Sequence, residues 1–171
     1  MNLQDLAQFV LDMNAIIKER DELTLEVQQL HTALMESVKN PYNASLAENI
    51  ITQALILMAR NPKIQYKFGG ESVTGMDCSG FTQTVYSLNG VSLPRTSDKQ
   101  GRVGVSVALA DIQPGDLIVF NRTGDDELYD HCGISLGTNL MIHTAGNPEG
   151  INITDWTTRY NGVIFDIRRV I

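Results

Sequence analysis

The sequence has little of several things that usually narrow a reading. Two cysteines, Cys78 and Cys132, stand among 171 residues, too few for a disulfide framework, although one bridge or two free thiols both stay open. Basic residues are outnumbered: 13 Lys and Arg against 20 Asp and Glu give a formal net charge of −7. Such a chain lacks the basic face that captures nucleic acid or anionic lipid. No apolar run approaches the ~20 residues that cross a bilayer, so membrane insertion is not expected. The first ten residues lack a basic segment leading into an apolar stretch and a small-residue cleavage site, so no secretory signal is expected. What is present is 43% hydrophobic and 19% charged residues, the balance of a folded domain rather than a disordered chain. The length suits one compact domain with an appendage.

The appendage announces itself by another absence. Residues 1–39 contain neither glycine nor proline, in a chain that holds 14 and 5 of them. Leu3, Leu6, Val10, Met13, Ile17, Thr24, Val27, Leu34 and Val38, with Arg20 and His31, follow alternating spacings of three and four. That is a heptad seam with polar interruptions, widened by Phe9, Ile16, Leu23 and Leu30. The pattern predicts one long coiled-coil-like helix over 1–39, burying its stripe by self-association, against a partner or on its own domain. Asn40-Pro41-Tyr42-Asn43 breaks it, which sets a second domain at 41–171.

In that second domain the pattern predicts a helix over 45–60. Ser45 and Glu48 form a capping box, Ile50, Ile51, Ala54, Leu57 and Met58 make the buried stripe, and Asn61-Pro62 stops it. A further helix is expected over 78–88, with Phe81, Val85 and Leu88 on one face. Strands are expected over 116–120, 131–136, 140–144 and 163–170, with turns at Pro114-Gly115 and Gly137-Thr138-Asn139. Helices followed by consecutive antiparallel strands make an α+β domain.

The chemistry concentrates at Asp77-Cys78-Ser79-Gly80-Phe81. A cysteine at a helix start meets unpaired backbone N–H groups and the positive end of the helix dipole, which favour a thiolate. Asp77 can cap that helix, but its charge would oppose the thiolate if it lay close. A thiolate needs a proton acceptor, and His31 belongs to the heptad segment, leaving His131 and His143. Both are odd-numbered and flank the turn at Gly137. An odd loop such as Gly137-Thr138-Asn139 would put them on one sheet face, roughly 5–8 Å apart at Cβ. One could then act as base and the other orient it. Three zinc ligands, Cys78, His131 and His143, are the alternative, without any close-spaced ligand pair to support it.

Taken in order, Tyr66-Lys67-Phe68-Gly69-Gly70, Asp77-Cys78-Ser79-Gly80-Phe81, Leu93-Pro94-Arg95-Thr96-Ser97 with Gln100, Pro114-Gly115-Asp116-Leu117, His131-Cys132-Gly133-Ile134 and Met141-Ile142-His143-Thr144 closely resemble the NlpC/P60 family of papain-like cysteine peptidases. The resemblance runs from about residue 64 to 171, nearly two thirds of the chain. It implies a small papain-like α+β domain, helices packed on an antiparallel sheet, that hydrolyses bacterial cell-wall stem peptides beside D-γ-glutamyl residues. By motif it implies Cys78 as nucleophile, His131 as base, His143 as the third polar residue, and Tyr66, Asp77, Ser79 and Arg95 as cleft residues. Arg95 would offer its fork to stem-peptide carboxylates. No metal or organic cofactor is implied.

Two positions depart from the family pattern: Phe68 stands where Trp is commoner, and Cys132 where a β-branched residue is usual. Strand alternation turns Cys132 away from the face of His131, which reads as a buried structural thiol and argues against a bridge to Cys78. Residues 123–130, with four acidic side chains, read as an exposed loop, and Trp156 as packing. Two other functions stay open: an assembly protein in which the coiled helix is the main actor, and a thiol amidase or transacylase on another substrate. Residues 1–39 are expected to form a homo-oligomer, a trimer by preference, or to dock on a larger assembly. A phage tail or injection machine is the expected location, ahead of the cytoplasm.

Overall fold

The computed structural model describes residues 46–60, 64–124, 129–137, 139–146 and 149–171, and the single residue Gln4. The coiled-coil helix expected over 1–39, the boundary at Asn40-Pro41, the Ser45 cap and the Asn61-Pro62 stop lie outside the described residues. Helix α1 spans Leu46–Arg60. Ile50, Ile51, Ala54 and Met58 are buried as the spacing predicts, and Leu55 and Ile56 are buried too. The helix therefore hides more than one stripe, and Leu57 is the half-buried member of the predicted set. Helix α2 spans Cys78–Ser87. Phe81 and Val85 are fully buried, but Leu88, placed on the same face by the sequence, is 59% exposed because it caps the helix end.

A two-residue hairpin, β1 (Glu71–Ser72) and β2 (Gly75–Met76), precedes α2, and the short helix α3 (Ser97–Gln100) follows it. Then come β3 (Val105–Ser106), β4 (Pro114–Asn121), β5 (His131–Leu136), β6 (Leu140–Gly146) and β7 (Glu149–Asp155). Helix α4 (Trp156–Arg159) and β8 (Ile164–Arg169) complete the chain. The larger sheet has the order β3-β8-β4-β5-β6-β7, and every pairing in it is antiparallel. This is the α+β arrangement of helices on an antiparallel sheet that the sequence predicts. No described helix is long and apolar enough to cross a membrane.

The central strand β4 reads Leu117-Ile118-Val119-Phe120, an unbroken apolar run, because both its faces are covered. Leu117 and Val119 join the core under α1 and α2, with Ile50, Leu55, Phe81, Tyr86, Ile134 and Ile142. Ile118 and Phe120 face the other way, with Met141 and Trp156, and Tyr160 and Val163 pack against them. Trp156 is thus core, as expected. Each large side chain so buried is worth roughly 1.5–3 kcal/mol. That is enough for the two apolar layers, rather than any ion pair, to hold the sheet in place.

Pro114-Gly115 is not a turn before β4 but the strand's first two residues. The β4–β5 register shifts between Pro114 and Leu117, and Gly115 takes φ +82°, a conformation that suits glycine. Its carbonyl accepts a hydrogen bond from the buried Tyr86 hydroxyl on α2. This bond fastens helix α2 to the irregular start of β4. Replacing Tyr86 with Phe leaves that carbonyl without its donor and is expected to cost about 1–2 kcal/mol. A lower urea midpoint with an unchanged slope would register it.

Candidate active site

Helix α2 starts where it does because Asp77 caps it. Its Oδ1 accepts from the Gly80 N–H at 2.7 Å and from the Ser79 hydroxyl at 3.1 Å, and its Oδ2 accepts from the Gly69 N–H at 2.8 Å. Arg95 adds a two-pronged ion pair, Nη1 to Oδ1 at 3.0 Å and Nη2 to Oδ2 at 2.8 Å. Burial works to raise the Asp77 pKa, but the Arg95 and backbone hydrogen bonds outweigh it and hold the carboxyl below its ordinary range. Gly80 is required here for space. A Cβ on it would stand 2.3 Å from the Gly70 carbonyl oxygen, which closes over the first turn of the helix.

Arg95 does not present a free fork, contrary to the sequence expectation. Nε donates to Glu71, Nη1 also donates to the Ser79 hydroxyl at 2.9 Å, and Nη2 also reaches the Gly70 carbonyl at 3.3 Å. With the two bonds to Asp77, all five guanidinium donors are engaged. The arginine ties hairpin, cap and helix together and neutralises the Asp77 charge beside Cys78. The exposed Glu71 partner is the weakest part of this set, since a solvated ion pair contributes little.

Cys78 occupies the first position of α2 and is 4% exposed. The register Ile134↔Ile142 and Ser135↔Met141 puts residues of equal parity on one face of β5 and β6. His131 and His143 are therefore diagonal neighbours on one sheet face, as the odd-loop reading predicts. His131 Nε2 lies 2.7 Å from His143 Nδ1, and His143 Nε2 lies 3.0 Å from Thr154 Oγ1 on β7. This leaves Nδ1 as the His131 nitrogen for Cys78. The two histidines aim their near nitrogens at each other, so those nitrogens do not converge with sulfur on a cation. Among the described residues no cluster of three His, Cys, Asp or Glu could hold a metal.

The Cys78 thiol is held well below the ordinary thiol range. The neighbouring Cys132 side chain contributes most; burial opposes it, and the hydrogen bond and charge of His131 reinforce it. Burial pushes the Cys132 thiol well above its usual value, and the adjacent Cys78 adds to this. Cys132 is completely buried, 3.5 Å from Gln100 Oε1 and 3.7 Å from Thr82 Oγ1. Both cysteines are free. Alternation does turn Cys132 from the His131 face, but that direction leads under α2 and beside Cys78. Cys132 is thus a buried free thiol, as the sequence predicts.

His143 is fully buried, and burial, followed by the charges of His131, Arg159 and Arg122, keeps its pKa well below the ordinary histidine value. It is therefore neutral near pH 7. Tyr160, which the sequence did not single out, sets its ring 5.5 Å from His131 and 6.3 Å from His143, and packs on Phe120 at 4.4 Å. Gln100 stands beneath the helix start and donates to the Ser79 and Pro94 carbonyls. Its motif was visible in the sequence, but its role was not. Thr154 and Tyr160 carried no signal, since each lies in a stretch of mixed polarity without a motif.

A cleft of about 440 Å³ opens onto Cys78 and is lined by Tyr66, Phe68, Asp77, Ser79, Arg95 and Tyr129, among others. All four predicted cleft residues are thus brought together with the thiol. Phe68 stands on its rim, 89% exposed. Tyr129 and Asp130 also line the cleft and are half-buried, so the end of the 123–130 segment is not the solvated loop expected; Ser97 holds the Tyr129 carbonyl at 2.8 Å.

A helix-borne thiol backed by a pair of hydrogen-bonded histidines on an antiparallel sheet defines a cysteine hydrolase of papain-like type. The chain belongs to the NlpC/P60 family, whose model matches residues 63–167. It is 32% identical over 124 residues to the gamma-D-glutamyl-L-lysine dipeptidyl-peptidase of Bacillus subtilis (strain 168), covering 72% of this chain and 40% of that one. It is 35% identical over 114 residues to the murein DD-endopeptidase MepS/murein LD-carboxypeptidase of Escherichia coli (strain K12), covering 63% and 56%. The crystal structure of an NlpC/P60 family protein from Bacillus cereus ATCC 10987 superposes with a TM-score of 0.59 at 31% identity, over 72% of this chain and 39% of that one. The chain thus spans about half or less of the length of these relatives.

The depressed Cys78 pKa makes a direct expectation. Alkylation by iodoacetamide rises as the thiol ionises, so its rate should reach half-maximum well below pH 9. Replacing His131 with Ala, or Arg95 with Ala so that Asp77 stands uncompensated, should move that midpoint upward. A parent midpoint near 9 would contradict the electrostatics.

Proposed function

We propose that this chain is a peptidoglycan endopeptidase that cuts stem peptides beside a D-γ-glutamyl residue, with Cys78 as nucleophile, His131 as base and His143 as the group that orients it. The observation that carries the reading is the 2.7 Å His131–His143 hydrogen bond on the sheet face that serves the Cys78 thiol at the start of α2. The names of the relatives support the substrate class. The Cys78 sulfur attacks the scissile carbonyl, forming a C–S bond and an oxyanion. Backbone N–H groups at the start of α2 lie where they can stabilise that charge. The intermediate collapses as His131 delivers its proton to the leaving amine. His131 then takes a proton from water, whose oxygen attacks the thioester, releasing the carboxylate and restoring the thiol. Tyr66, Asp77 and Ser79 shape the cleft, with Arg95 bracing it rather than serving as its anion receptor.

Two relatives bear names for different bonds, so the bond is the finer part of the reading. Defined muropeptides carrying diaminopimelate or lysine resolve it by mass spectrometry of the fragments. Cleavage beside D-γ-glutamyl is expected; cleavage of D-alanyl cross-links alone would reassign the specificity, and acyl transfer to an acceptor would favour the transacylase reading. Cys78→Ala is expected to abolish turnover and His143→Ala to lower kcat by about 10²-fold or more.

The heptad pattern of residues 1–39 supports their role as an assembly segment, trimeric by preference, which would suit a component of a phage tail or injection machine. Removal of residues 1–39 is expected to abolish oligomers in light scattering and to leave muropeptide hydrolysis intact. Unfolding of the remainder would instead assign the segment to the domain core.

A further inference from the structure

The His131–His143–Thr154 chain admits two directions of proton donation, and one of them suits a base at His131. When His131 holds the thiol proton it carries hydrogens on both nitrogens, and its Nε2–H must find an acceptor. The atom facing it is His143 Nδ1 at 2.7 Å. That nitrogen must then be bare, which puts the single proton of neutral His143 on Nε2. The Nε2–H faces Thr154 Oγ1 at 3.0 Å, which must accept. In the opposite arrangement His143 Nδ1–H points at His131 Nε2, which must be bare, and His131 cannot become an imidazolium without two N–H groups colliding.

We propose that Thr154 is a positioning residue of the hydrolytic site, its hydroxyl accepting the His143 Nε2–H and so selecting the tautomer that lets His131 act as base. The proposal rests on the assignment of His131 as base above. His143 is completely buried, so its Nε2–H cannot take a partner from bulk water in place of Thr154. The low basicity of His143 agrees with a ring that stays neutral while its neighbour is charged. The side chain reaches the ring from β7, whose pairing with β6 sets Met141 opposite Thr154 and His143 opposite Asn152. The relay therefore crosses three adjacent strands, with one member on each.

The test pairs kinetics with a spectroscopic readout in the full chain. Thr154→Val keeps the shape and removes the hydroxyl; it should lower kcat between about 5-fold and about 100-fold with KM little changed. Thr154→Ser should restore most of the loss. In a His143→Ala background, Thr154→Val should cost nothing further. Long-range ¹H–¹⁵N spectra of histidine-labelled protein should show the His143 proton on Nε2 in the parent and a changed tautomer balance in Thr154→Val. Parent-like kinetics in Thr154→Val, an equal loss in the His143→Ala background, or a His143 proton on Nδ1 in the parent would each overturn the proposal. Should Thr154→Val not fold, the parent spectrum and the Thr154→Ser kinetics still decide. The tautomer is read without turnover, so a parent with Nε2-protonated His143 but no muropeptide hydrolysis would overturn the proposed function and leave the tautomer assignment standing.

Discussion

The Asp77 carboxylate is the constraint on which the site depends. It caps α2, closes the Gly69–Gly70 loop over the first turn, and holds Arg95 in a two-pronged pair. A buried carboxylate in this place would ordinarily suppress a neighbouring thiolate. Arg95 removes that conflict by cancelling the charge while keeping the cap. The cap fixes the helix start, the helix start fixes the sulfur, and the guanidinium preserves the electrostatics that an anionic sulfur needs.

The sheet supplies the other half. In the β5–β6 register residues of equal parity share a face, and the diagonal spacing brings two imidazoles into hydrogen-bonding range. Strand β5, which carries His131, also carries Cys132 in full burial, where its thiol is shifted up while that of Cys78 is shifted down. Two thiols of identical intrinsic chemistry are thus shifted in opposite directions by their surroundings alone. Under the helix, Gln100 Oε1 accepts from both the Thr82 hydroxyl and the Cys132 thiol.

Much of this was legible in the residues because it follows from periodicity. The odd parity of His131 and His143, together with an odd loop at the Gly137 turn, puts them on one face, and the Asp77-Cys78 order places a thiol at a helix start. Strand β7 was not legible: Glu149–Asp155 mixes glycine, asparagine and threonine with two isoleucines, and only the pairing with β6 makes it a strand. Thr154 was lost with it. Arg95 was placed correctly in the cleft but misread in role, because a local motif cannot show that Glu71, Asp77, Ser79 and Gly70 fold back upon one guanidinium. Cys132 was oriented correctly by alternation, but the position of α2 above it belongs to tertiary packing.

The proposed hydrolysis requires the sulfur of Cys78 to carry the acyl group during turnover. Acid quenching during hydrolysis of a D-γ-glutamyl stem peptide, followed by peptide-level mass spectrometry, tests it most directly. A thioester adduct with the mass of the acyl fragment should map to Cys78, with Cys132 unmodified. Turnover with the adduct on Cys132, or with full activity retained after Cys78→Ala, would contradict it.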